Sequence, residues 1–140
     1  MEVERHFKLT EDTIAHCGHT LHRIMATCDS LHAKNGDKGG WIETEGNLQD
    51  EAWVDGEAKV WDDATVGGRA LVCGRAEVYY DARVNGSASV CDNARVYGYA
   101  KVYGSARVRG SAHVCGSAEV YGKACVCDSA AVYGKAKVFG

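Results

Sequence analysis

From residue 48 onward an aliphatic side chain recurs at every sixth position: Leu48, Val54, Val60, and then valine at each step to Val138. Four residues after each stands alanine, from Ala52 to Ala136 without exception. Alanine and valine thus alternate with polar or aromatic residues as A-x-V-x, which predicts a short strand with one buried face. The two positions that follow hold Gly or Asp and then, at most corners, a small or charged residue. Gly, Asp and Asn tolerate left-handed backbone, so each pair predicts a corner. Tyr80 is the one departure at the glycine position and marks a distorted corner. Residues 48–137 make 15 complete hexads, followed by Val138-Phe139-Gly140. Three strands and three corners close a triangular coil of 18 residues, so the expected fold is all-β: a left-handed parallel β-helix of about five coils.

A fixed period stacks the outward residues into columns. One column reads Trp61, Tyr79, Tyr97, Cys115, Tyr133, beside Lys59, Glu77, Arg95, His113 and Ala131. Neighbouring rungs lie about 4.8 Å apart. Lys59, Glu77 and Arg95 are therefore expected to form a charge ladder, and the aromatics to stack. Trp61, Tyr79, Tyr97 and Tyr133 are candidates for a face that self-associates. Cys73 and Cys91 are adjacent rungs of another column, where parallel side-chain vectors favour free thiols over a disulfide.

The first 47 residues follow another pattern. Thr13 to Ala26 predicts a hairpin turning at Cys17-Gly18. Gly36 to Gly40 lacks the Lys-Ser/Thr ending of a phosphate loop and is read as a turn. Residues 1–47 are then a cap, with Trp41 and Ile42 laid over the coil that Leu48 begins. At the other end, the rung at Val138 and Phe139 is expected to be covered by a second copy, paired across a two-fold axis.

Composition narrows the classes. The net charge of -3 argues against a general nucleic-acid or membrane-surface binder. It is unevenly spread: Asp50 to Asp92 carries nine acidic and four basic residues, net -5, and Asn93 to Gly140 two acidic and seven basic, net +5. Met1 to Arg5 is charged with no apolar stretch behind it, so neither a signal peptide nor a membrane span is expected and the cytoplasm is the default compartment. Seven cysteines, an odd number, fit a reduced state. The absence of proline fits a fold in which nearly every backbone N–H is bonded.

Tandem V-x-G-x-A-x hexads over residues 48–140 resemble the hexapeptide-repeat family, whose members form left-handed β-helices and include many trimeric acyltransferases. A preceding hairpin with G-D-x-G-G-W-I-E (Gly36 to Glu43) and E-x-N-L (Glu45 to Leu48) is similar to the YdcK-like group of bacteria and prophages, often labelled transferases. The resemblance implies a histidine near a subunit interface and coenzyme A as cosubstrate. The hexads contain one histidine, His113, and no inserted loop, so His113 is the catalytic candidate that the resemblance leaves. One histidine is too few for the three-histidine zinc site of the related γ-class carbonic anhydrases. In the hairpin, a turn at Cys17-Gly18 sets His16 opposite His19, a candidate pair for a metal. No cofactor is implied by the residues themselves. The leading expectation is a non-enzymatic scaffold or interaction solenoid that associates with itself. An acyltransferase with an interface site, and a phage-encoded inhibitor of a host defence protein, are the alternatives.

Overall fold

The computed structural model describes residues 5–140; residues 1–4, the start of the charged stretch read as no leader, lie outside the described residues. Three long strands come first: β1 (Phe7–His16), β2 (His19–Ala26) and β3 (Lys38–Ile42). A short 3-10 turn (Glu45–Asn47) leads into fifteen two-residue strands, from β4 (Trp53–Val54) to β18 (Lys137–Val138), one in each hexad. Every third strand pairs in parallel with the next, so Val60 stands over Val78 and Val96 over Val114. The result is a three-sided parallel β-solenoid of about five coils, as the period predicts. No helix among the described residues is long and apolar enough to cross a membrane.

The inward columns make the core. The repeat valines and alanines from Ala52 to Val120 are buried, and the backbone between coils is bonded rung to rung, as in Asp55 N–H to Val72 O at 2.8 Å. Corners take positive φ, through glycine at most and through Asp50, Asp62, Tyr80, Asp92 and Asp128. At Gly74 a Cβ would lie 2.8 Å from the Asp92 backbone nitrogen of the next coil, so close stacking adds to the conformational demand. At Asp50, Asp62 and Asp92 the carboxylate offsets the strained backbone by accepting from the corner above, as Asp92 Oδ2 does from Gly110 N–H at 3.0 Å.

The N-terminal segment departs from a simple lid. β3 is itself a rung: it pairs in parallel with β5 (Lys59–Val60), Trp41 against Lys59 and Ile42 against Val60. Ile42 thus extends the valine column one hexad ahead of Leu48 and sits on Val60 of the first coil as a rung of the solenoid. Gly39 and Gly40 belong to β3 and not to a turn; a Cβ on Gly40 would meet Ala58 O at 2.6 Å and Val54 Cγ1 at 2.7 Å. These glycines exist for close approach. The hairpin β1–β2 adds antiparallel to β3, His22 against Ile42, and starts earlier than expected, at Phe7. Its base, with Phe7, Ile24 and Ala26, closes the core end. Its tip folds over the outer surface, where Leu21 packs with Trp41 and Trp61.

Candidate functional site: an acidic and aromatic groove at one corner

The corner that follows the β3, β5, β8 (Glu77–Val78) and β11 (Arg95–Val96) rungs carries Glu43-Thr44, Asp62-Asp63, Tyr80-Asp81 and Gly98-Tyr99 on successive coils. Together with His19 from the hairpin tip they line an open groove of about 750 Å³. Two rings stand free in it, Tyr80 at 56% and Tyr99 at 67% exposure. Tyr80 holds φ 59, a conformation that costs a non-glycine residue roughly 1–2 kcal/mol. The Asp62 carboxylate accepts its N–H at 3.3 Å, and its ring meets Tyr79 edge-on at 5.0 Å.

His19 anchors the hairpin to this corner. Its Nδ1 lies 2.8 Å from Glu43 Oε2, and its Nε2 3.1 Å from Asp62 Oδ1. Glu43 Oε1 in turn accepts the Asp62 N–H at 2.9 Å. The hydrogen bond to Glu43 holds the imidazole above its ordinary 6.5; the two carboxylate charges add to this, and burial opposes it. The trio has donor types suited to a divalent cation, with ligating atoms within 4.8 Å of one another. Both ring nitrogens are directed at carboxylates on different residues, however, whereas a metal-bound imidazole must offer a free lone pair. The geometry is that of an imidazolium held between two anions.

The candidates from the sequence fall in different places. His16 and His19 are cross-strand partners at the turn, yet their side chains diverge: His16 Nε2 meets Glu77 Oε2 at 2.8 Å and its ring meets Trp61 edge-on. Glu77 also takes Arg95 at 3.3 Å, while Lys59 bonds the Glu57 carbonyl instead, so His16 holds the place expected for Lys59 in the charge ladder. Trp61, Tyr79 and Tyr97 stack with near-parallel planes at 4.6 and 5.0 Å. Trp61 is buried under the hairpin, at 4% exposure, so its surface is spent within the chain. Burial pushes Tyr79 up to about 12. Tyr133 stands apart from that stack and is 68% exposed. Phe139 is exposed, stacked on Tyr121, which stacks on Tyr103; Val138 is half-buried. His113 is half-buried, edge-on to Tyr97. Cys73 and Cys91 are joined as a disulfide, with Cα atoms 4.7 Å apart, which corrects the expectation of free thiols at this pair.

Three residues that matter here carried no chemical signal in the sequence: Glu43, Asp62 and Asn47. Asn47 is the buried polar side chain of the core region. Its Oδ1 accepts from Glu43 and Thr44 N–H, and its Nδ2 donates to Asp62 and Ala64 carbonyls. It does for the start of the corner what a rung does elsewhere. The signal that did point to the groove was Tyr80, the single break at the glycine position of the corners. A scan against protein-family models and a search of curated proteins return no significant match to this chain.

Proposed function

We propose that this chain is a protein-interaction solenoid that associates with further copies of itself, and that the groove corner is its recognition surface. One observation carries the reading: on neighbouring coils of one carboxylate-lined groove, two corners expose tyrosine rings, Tyr80 and Tyr99. A tyrosine forced into left-handed backbone and left open to water is not there for folding, since glycine or aspartate serves at every other corner. Exposed aromatics ringed by carboxylates on a rigid frame have the make-up of a contact surface. The solenoid supplies the rigidity, because each coil is locked to its neighbours by backbone bonds.

Light scattering on the purified chain tests the proposal. A mass above the 15.0 kDa of one chain, falling when Tyr99→Ser is introduced, is the expected result. A monomer at all concentrations counts against self-association. If acetyl-coenzyme A instead raises the melting temperature, and His113→Ala removes that shift, the acyltransferase reading replaces this one.

A further inference from the structure

We infer that the groove corner is a two-fold interface between antiparallel copies of this chain, in which Lys135 of each copy enters the acidic groove of the other. The inference rests on the self-association proposed above and names the partner and the register. Along this one edge the second residue of each corner reads Asp63, Asp81, Tyr99, Ser117, Lys135, spaced eighteen residues apart. Each step is one coil, about 4.8 Å. Tyr99 is the midpoint of the series. A two-fold axis through Tyr99, perpendicular to the solenoid, sets Lys135 of one copy against Asp63 of the other and Ser117 against Asp81.

The chemistry of each pairing is favourable. The Lys135 ammonium meets the Asp63 carboxylate, with Asp62 and Glu43 in the same groove. The Ser117 hydroxyl can donate to Asp81. The two Tyr99 rings, the most exposed in the groove, cover one another at the axis. Tyr133, beside Lys135 and likewise exposed, joins the contact at each end. Asp63, Asp81, Ser117 and Lys135 are all exposed. An isologous contact repeats every pairing twice, so the gain is doubled by symmetry and the assembly closes at two. A parallel arrangement would set Asp63 on Asp63 and Lys135 on Lys135. The wider field agrees, since the -5 stretch from Asp50 to Asp92 then faces the +5 stretch from Asn93 to Gly140 of the other copy. The N–H groups of Asp81, Tyr99 and Ser117 are already bonded within the chain, so their part of the contact runs through side chains.

Charge exchange between two variants tests this. Asp63→Lys with Asp81→Lys makes one chain basic along the whole edge; Lys135→Glu makes the other acidic. Light scattering should give twice 15.0 kDa for the natural chain and a monomer for each variant alone. An equimolar mixture should return the dimer, and native mass spectrometry should find it to be a one-to-one heterodimer. The natural dimer should weaken as salt rises, whereas a seam at Val138 and Phe139, flanked by Lys135 and Lys137, would tighten. Neutral variants, Asp63→Asn with Asp81→Asn, give a second reading if reversal disturbs folding, with dissociation raised roughly tenfold or more. A dimer retained by either reversed variant alone, or a mixture that stays monomeric while both variants keep the natural circular dichroism, overturns the interface and leaves association through another face standing. A natural chain that is monomeric at every concentration overturns self-association itself.

Discussion

Asn47 shows how much a single side chain can carry in this fold. It is 2% exposed and bonds two N–H groups, sharing that of Glu43 with the Val60 carbonyl, and two carbonyls. Asn47→Asp keeps the shape and the acceptor but loses both donations and buries a charge facing carbonyls. It should cost about 2–3 kcal/mol or more by chemical denaturation. A loss under about 0.5 kcal/mol would mean the four bonds are not formed. In the sequence Asn47 was visible only as part of E-x-N-L, because a hydrogen-bonding role depends on which carbonyls arrive nearby, and no pattern in the chain states that. The inside and outside of the repeat were legible at the same scale, since alternation fixes which way each side chain points. Val96 is fully buried and Arg95 exposed. Val96→Asp should therefore abolish cooperative unfolding or expression, while Arg95→Ala should cost well under the roughly 1.5–3 kcal/mol of a buried valine. Equal effects would reverse the assignment.

The hairpin and β3 are the elements whose placement the sequence left open. Their lengths and turn were readable, but the period that fixes the coils is absent there. Nothing in residues 5–47 announces that Ile42 continues the valine column or that Leu21 covers Trp61. Gly40→Ala tests the first point: a Cβ 2.6 Å from the Ala58 carbonyl forces β3 away from β5 and should cost about 1–3 kcal/mol. Gly46→Ala is the control, its nearest atom 3.8 Å away, and should be close to neutral. The clasp at His19 has a pH signature. It is held from the hairpin by His19 and from the corner by Glu43 and Asp62, with His16, Asp63 and Tyr80 nearby. Its folded pKa lies above the unfolded 6.5, so the stabilisation is complete below pH 6.5 and is lost as pH rises through the raised folded value. Thermal melts should show stability falling over that window in the natural chain and a flatter profile in His19→Gln. Parallel profiles would detach His19 from the stability of the cap.

At the scale of the whole molecule, the repeat makes a demand that globular folds do not. Each coil touches only the coil before and the coil after, so energetic coupling should decay with coil number and not with distance through a shared core. The valine column Val60, Val78, Val96, Val114 lets this be measured, because all four are fully buried, chemically identical and in strict parallel register. Val→Ala at any one removes two methyl groups and should cost roughly 2 kcal/mol. Val78 and Val96 are neighbours in that column and share the space either vacates. Their double variant should depart from additivity by at least about 0.5 kcal/mol. Val60 and Val114 stand three coils apart, about 14 Å at the spacing between strands. Their double variant should be additive within about 0.3–0.5 kcal/mol. Equilibrium denaturation of the four single and two double variants decides it. Strong coupling across three coils would mean that the solenoid behaves as one cooperative body, whose binding edge could then respond to events at its far end.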